Sequence, residues 1–274
     1  MNLDKKLENL KNFLREKGGG GAVISFSGGV DSSTLAAICH DILGEKAVAV
    51  TIISPVFPRE EVEEAKKVAQ EIGIKHVLIE ADDFLDEKFF RNSEDRCYHC
   101  KRGLLRVLRN VAGELGLKAI FDGTNYSELS EHRPGLKAVR EMEAVYSPWV
   151  ECGFTKDEIR SLARKIGLSI SDKPSMACLA SRIPFGERIT LERLDRIEKA
   201  EQIIKSTTGI RQARVRDHNG LARIEVGKDE REKFFDTMIM DMVAGELKKL
   251  GFKYVTMDLE GYRSGSMLPT TANK

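Results

Sequence analysis

Two groups of residues have the types and spacing to do chemistry. Ser27-Gly28-Gly29-Val30-Asp31-Ser32-Ser33 follows directly on the apolar run that ends the first strand-like segment. The glycines let backbone N–H groups turn inward, serine hydroxyls add donors, and a helix starting near Asp31 contributes its positive end. These features make a phosphate cradle, although the lysine of the G-x-x-x-x-G-K-[ST] loop is missing. A plain Gly-Gly turn with Asp31 and Ser32 as helix caps would explain a bare dipeptide, but not the whole run after a strand.

The second group is the cysteines. Cys97 and Cys100 form C-x-x-C, and Cys178 lies in Lys173-Pro174-Ser175-Met176-Ala177-Cys178. Alone, C-x-x-C fits a redox pair, half a zinc site or two core thiols. Three converging thiolates can hold three irons of a [4Fe–4S] cluster and leave the fourth iron open. Zinc would ask for a fourth protein ligand, for which His99 and His132 are formal candidates. Spacing leaves cluster and zinc both open. Cys39 falls mid-helix on the apolar face with Leu35 and Ile38 and reads as core, and Cys152 has no partner in sequence. Arg214 and Arg216 alternate onto one strand face. Side by side they suit a phosphate, or they belong to a solvated edge strand with Arg223 and Glu225 across from them.

The elements that must position these groups read as alternating strand and helix. Val/Ile-rich runs at 22–27, 47–53, 75–80 and 118–122 alternate with helical patterns at 31–43, 59–72 and 97–116, with another helix at 155–166. This predicts βαβ units and a parallel, doubly wound α/β sheet whose ligand lies at the carboxyl ends of the strands. Ser27–Ser33, Ile53–Pro58 and Asp122–Gly135 fall at those ends. The stretch 169–190, with two prolines, leads into a smaller α+β domain. That domain has a charged helix at 191–207, a hairpin turning at Asn219-Gly220, a helix at 228–250 and a last strand at 252–259. The expected boundaries are 1–185 and 186–274.

Bulk composition excludes several classes. The 274 residues carry 44 basic and 43 acidic side chains, a net charge of +1, so no global field draws the chain to nucleic acid or to an anionic membrane. No apolar run approaches a membrane span, and the N-terminus reads as an amphipathic helix rather than a secretion signal. A cytosolic protein with no membrane partner is expected. Five cysteines in a chain of this length do not read as a disulfide framework.

Ser-Gly-Gly-x-Asp-Ser resembles the pyrophosphate loop of the ATP-pyrophosphatase superfamily. By that resemblance Ser27, Gly28, Gly29, Asp31 and Ser32 grip the β,γ-phosphates of ATP, Asp31 helps to place Mg²⁺, and AMP is transferred with release of pyrophosphate. Further segments narrow the resemblance: DKPSMACLASRIPFGERIT, DGTNYSELSEHRPGLKAVREM, RVRDHNGLARIEV and GYRSGSM together look like the LarE family, over nearly the whole chain. Members of that family are ATP-dependent sulfur transferases that build the nickel-pincer nucleotide of lactate racemase. They adenylate each carboxylate of a pyridinium biscarboxylate mononucleotide and replace oxygen by sulfur. The resemblance implies nucleotide binding at Gly123, Thr124 and Asn125. It implies substrate-phosphate contacts at Arg214 and Arg216, with Arg263 and Ser264 as weaker candidates. Members with a single cysteine at the position of Cys178 sacrifice its sulfur. Members with three bind an Fe–S cluster, and Cys97, Cys100 and Cys178 place this chain with them. The sequence departs from the family at Ser171, where tryptophan is common, and at Tyr126-Ser127-Glu128, where paired aspartates are usual.

The expected protein is therefore an ATP-dependent sulfurtransferase using ATP, Mg²⁺ and a [4Fe–4S] cluster, recharged by a sulfide source and assembled as a homo-oligomer. One rival is a tRNA-thiolating enzyme of the same superfamily, which would need a basic RNA-binding face that the near-neutral charge does not suggest. Another is single-turnover sulfur donation from Cys178. A nucleotide- or iron–sulfur-binding regulator is the non-catalytic alternative.

Overall fold

The computed structural model describes residues 2–130, 134–174, 177–263 and 267. Along the chain run α1 (Leu3–Gly18), β1 (Ala22–Ser25), α2 (Val30–Leu43), β2 (Ala47–Ile53), α3 (Arg59–Ile72), β3 (Lys75–Glu80) and α4 (Glu87–Phe90). Then come α5 (Arg96–Glu114), β4 (Ala119–Phe121), α6 (Gly135–Arg140), β5 (Val145–Tyr146), α7 (Pro148–Glu151) and α8 (Lys156–Lys165). The last elements are α9 (Leu191–Thr208), β6 (Ala213–His218), β7 (Leu221–Val226), α10 (Thr237–Lys249) and β8 (Tyr254–Met257). The chain divides into two units: Met1–Asp86 with Asp95–Met176, and Glu87–Glu94 with Ala177–Lys274.

The first unit is built on a five-stranded, all-parallel sheet in the order β3-β2-β1-β4-β5. Alternation along the strands divides the side chains between two cores. Ala22, Ile24, Ala47 and Ala49 join Leu10 and Leu14 of α1, Leu35 and Cys39 of α2 and Ile159 of α8 on one face. Val23, Val48, Val50 and Ile52 meet Leu105 and Leu108 of α5 and Val139 of α6 on the other. Burying each Leu or Ile contributes roughly 1.5–3 kcal/mol, and both faces are covered, as a parallel sheet requires. The chain builds outward from β1 through β2 to β3, then returns to β4 on the opposite side. The loops leaving β1 and β4 therefore diverge and open a crevice at their carboxyl ends.

The smaller unit is α+β. Its sheet is mixed, in the order β6-β7-β8. β6 and β7 are antiparallel, joined by Asn219 (φ 50°) and Gly220 (φ 94°), the positive angles that a tight hairpin turn demands. β8 runs parallel to β7 and is reached through α10. Ala200 and Ile204 of α9, Val243 and Leu247 of α10, and Val215 and Ile224 of the strands close its core.

Two elements differ from the sequence expectation. The run at 228–250 is not one helix: a 3₁₀ segment, Lys228–Phe234, ends before α10. Asp236 takes an extended conformation (φ −101°, ψ 122°) and its carboxylate accepts the Met238 N–H, so it caps a new helix rather than continuing the old one. β5 has only two residues, too few to leave an alternating pattern, yet it extends the sheet beyond β4. Among the described residues, no helix is long and apolar enough to cross a membrane.

Candidate active site

The loop after β1 has the local structure its sequence demands. Gly28 sits at φ +69°, and a Cβ there would come within 2.8 Å of the Ala65 Cα on α3. Only glycine fits, because neither the backbone angle nor the neighbouring backbone can yield. Gly29 precedes α2 without a side-chain cap, so the cradle leaves the first N–H groups of the helix without intrahelical acceptors. Ser32 holds the loop in shape: its Oγ accepts the Ser27 N–H (3.2 Å), lies 3.1 Å from Ser27 Oγ, and donates to the Gly29 carbonyl (3.2 Å).

The loop after β4 abuts this cradle. A Cβ on Gly123 would stand 3.2 Å from Ser32 N and Cα. Asp122, 2% exposed at the end of β4, accepts the Thr124 N–H (3.2 Å), the Thr124 hydroxyl and the Lys101 ammonium. Burial pushes its carboxyl up, but the Lys101 charge and these hydrogen bonds outweigh it and hold the group below the usual aspartate value. Asn125 is buried; its amide donates to Glu128 Oε1 (2.9 Å), and its Oδ1 has no partner.

Asp31 lies in the first turn of α2. Lys156, at the start of α8, donates to Asp31 Oδ2 (2.5 Å), while Asp31 Oδ1 is buried without a partner. The Lys156 N–H in turn donates to Ser127 Oγ (3.1 Å), which brings the 125–128 turn beside the same lysine. Asp31 Oδ1 and Asn125 Oδ1 are both buried oxygens without a protein donor, and hard oxygens are the ligands that Mg²⁺ takes. Lys173 completes the cradle, donating to the Gly28 carbonyl (3.4 Å) and to Glu61 Oε2 (2.8 Å), and pairing with Glu64. Burial lowers the pKa of its ammonium, but the hydrogen bonds it donates to Glu61 and Glu64, and their charges, more than reverse this, so it stays charged.

Cys97 and Cys100 lie in the first turn of α5, three residues apart and so on one face of the helix, Cys97 exposed and Cys100 half-buried. Lys101, the next residue, is the partner of Asp122. The C-x-x-C turn is thus tied to the phosphate cradle through Lys101, Asp122, Gly123 and Ser32. His99, one candidate zinc ligand, pairs with Asp95 at 3.1 Å, and His132 lies outside the described residues. Cys39 is fully buried in the core and burial pushes its thiol far up, while Cys152 is pushed up to about 11 by burial and by Glu151. Among the described residues, no group of three or more His, Cys, Asp and Glu side chains is arranged to hold a metal.

Cys178 belongs to the second unit, half-buried at the start of a 3₁₀ turn, Leu179–Arg182. Arg182, 0% exposed, donates to the carbonyls of Ala177 (2.7 Å) and Cys178 (2.9 Å) and makes a two-pronged pair with Glu201 (2.9 and 3.1 Å). Arg214 and Arg216 are buried and do not form a solvated edge. Arg216 donates to the Ser181 carbonyl (3.2 Å) and to Glu225 (2.6 Å), which Arg223 shares at 3.1 Å. Burial, then the charge of Arg182, lower the pKa of Arg214 below the usual arginine value. Arg263 reaches Asp258 at 3.3 Å, and Ser264 lies outside the described residues.

Sequence reasoning had not assigned Lys101, Lys156, Lys173 or Asp122. Lys173 stood inside a recognised segment, and Asp122 at a strand end; Lys101 and Lys156 gave no signal beyond their neighbours.

The NAD synthase family matches residues 3–103. An uncharacterised protein of Synechocystis sp. is 40% identical over 265 residues, covering 97% of both chains. The pyridinium-3,5-bisthiocarboxylic acid mononucleotide synthase of Lactiplantibacillus plantarum is 34% identical over 248 residues, 90% of this chain and 88% of that one. An uncharacterised protein of Methanocaldococcus jannaschii is 31% identical, covering 95% of this chain and 98% of its own. With its strand-end phosphate cradle and full-length kinship of this degree, the chain belongs to the LarE family, within the pyrophosphate-loop superfamily of ATP-using, adenylating enzymes.

Proposed function

We propose that the protein is an ATP-dependent sulfur transferase that converts the carboxylates of pyridinium-3,5-biscarboxylate mononucleotide to thiocarboxylates, with Cys97, Cys100 and Cys178 as the thiolate ligands of a [4Fe–4S] cluster. The observation that carries the reading is the tie between the C-x-x-C turn and the phosphate cradle through the Lys101–Asp122 pair.

In this reading Ser27, Gly28, Gly29 and Ser32 hold the β,γ-phosphates, Gly123, Thr124 and Asn125 line the nucleotide, and Asp31 with Asn125 and Glu128 provides the oxygens for Mg²⁺. A substrate carboxylate oxygen attacks the α-phosphorus, the α–β bridging bond breaks, and pyrophosphate leaves into the cradle beside Lys156 and Lys173. The acyl adenylate is the electrophile that a carboxylate is not. When bound, the cluster supplies a sulfide nucleophile on the iron without a protein ligand. The acyl–oxygen bond then breaks, and AMP carries away the original oxygen. Arg214 and Arg216, buried on one strand of the second unit, hold the substrate phosphate, so the second unit is the substrate-binding domain.

The test is ATP–pyrophosphate exchange with and without the biscarboxylate nucleotide, followed by iron analysis after anaerobic reconstitution. Exchange that requires the nucleotide, is lost in folded Asp31→Ala and persists in Cys178→Ala supports the reading, as does binding of about four irons per chain. Adenylation of a tRNA base instead, or a Cys178 lighter by one H₂S after a single turnover of iron-free protein, would replace it.

A further inference from the structure

Helix α8 serves the cradle at two points. Lys156, in its first turn, holds Asp31. Arg160 lies four residues on, one turn along the same face. Its guanidinium reaches the chain that returns past the helix: Nη1 donates to the Ser171 carbonyl (2.7 Å) and Nη2 to the Lys173 carbonyl (2.8 Å). That chain is tightly turned. Gly167 (φ +78°) leads it out of α8, and Leu168 and Ile170 are buried in the same core as Leu162 and Ala163. The Ser171 N–H donates to the Leu168 carbonyl (3.3 Å) and the Lys173 N–H to the Ile170 carbonyl (3.0 Å).

Lys173 is the residue that needs this hold. Its ammonium ends on the Gly28 carbonyl and on Glu61 and Glu64, so a cation beside the phosphate loop hangs on a long, flexible stem. Such a stem delivers its charge to one place only when its main chain is fixed first. Pro174 disfavours helical backbone at Lys173, which still leaves the peptide planes to be oriented. Hydrogen bonds to the carbonyls on either side of Asp172 orient them. Arginine is suited to this, because its planar fork presents N–H groups to two acceptors at once.

We infer that Arg160 is a positioning residue for the pyrophosphate end of the site: its fork fixes residues 171–173 so that the Lys173 ammonium stands at Gly28. One rigid helix thereby sets both cations of the cradle, Lys156 by carrying it and Lys173 by holding its main chain. The inference rests on the adenylation step of the reading above, in which pyrophosphate leaves beside these lysines, and not on the cluster. Arg164, one turn further along α8, pairs with the exposed Asp172 carboxylate (2.8 Å) rather than with a carbonyl of the turn. It is the natural control.

The experiment is calorimetric titration of the whole protein with inorganic pyrophosphate and Mg²⁺, which needs no acceptor substrate. Lys173→Met should weaken binding about 30-fold, the loss of one charge-assisted contact to a phosphate. Arg160→Met should weaken it about 10-fold, with unchanged circular dichroism. Arg160→Lys keeps the charge but cannot bridge both carbonyls, and should weaken binding about 5-fold; it takes the place of the methionine variant throughout if that one does not fold. The double variant Arg160→Met/Lys173→Met should bind within about twofold of Lys173→Met alone, because Arg160 acts through the lysine. A general structural role would instead multiply the two losses. Arg164→Ala should bind as wild type does. Wild-type affinity in the Arg160 variants or in Lys173→Met, or losses that multiply in the double variant, would overturn the inference and leave the cradle standing. Wild-type protein that binds no pyrophosphate would refute the cradle reading, and the inference with it.

Discussion

Replacing Arg182 by methionine tests the electrostatic anchor of the Cys178 segment. Arg182 and Glu201 are both buried and joined by two hydrogen bonds, and Glu201 Oε1 also accepts the Val215 N–H at 3.1 Å. Burial lowers the pKa of the guanidinium, but the Glu201 charge and hydrogen bonds raise it further than burial lowers it. Removing one partner of such a pair leaves an uncompensated buried charge, a loss of about 3–5 kcal/mol. The low end applies here. Arg214, 3.9 Å from Glu201 Oε2, remains to face the carboxylate and is relieved of repulsion from Arg182. A destabilisation of about 3 kcal/mol makes amide exchange through global opening of the second unit more than 100-fold faster. In Arg182→Met/Glu201→Gln the buried pair is removed together and Val215 keeps an acceptor, while Arg214 loses only the Glu201 charge 3.9 Å away, so the loss should fall to about 2 kcal/mol. The assay is hydrogen exchange of peptides spanning β6 and β7 under native conditions. A single variant within 0.5 kcal/mol of wild type, or a double variant no better than the single, would refute the reasoning.

Lys101→Met should make the first unit acid-labile. Asp122 has a folded pKa below its unfolded one, so its contribution is present above the unfolded value and is lost as pH falls through the folded value. With Lys101 gone, burial dominates, the carboxyl rises, and the acid-unfolding midpoint should move to higher pH, as followed by circular dichroism. Native alkylation followed by mass spectrometry should label Cys97 first and leave Cys39 and Cys152 unmodified at pH 7.5, because both buried thiols are held protonated. Modification of Cys39 at the rate of Cys97 would contradict its burial.

The residues legible in the sequence are those whose chemistry is local. The Ser27–Ser33 cradle could be read because a Gly-Gly turn between an apolar strand and a helix has few other uses, and β2, β3 and α3 matched their apolar runs. What could not be read is the pairing of lysines with distant acids. Lys101 meets Asp122 across 21 residues, Lys173 meets Glu61 across 112, and Lys156 meets Asp31 across 125. Lysine is a common surface residue, and only the fold turns these three inward. The burial of Arg214 and Arg216 was equally hidden, since strand alternation gives a face but not what covers it. The helix expected at 228–250 failed because its apolar spacing runs across a cap at Asp236.

The chain contains a single tryptophan. Trp149 is fully buried in α7, stacked edge-on against Phe154 (5.0 Å), and its indole N–H donates to the Asp31 carbonyl at 3.1 Å. The one strong near-ultraviolet fluorophore is therefore wired by a hydrogen bond to the first turn of α2, the helix proposed to receive the phosphates. Excitation at the red edge of indole absorption reports on that turn alone, free of signal from the five tyrosines. Shifts in emission wavelength or lifetime on adding nucleotide and magnesium follow occupancy of the cradle in real time, without a label or a coupled assay.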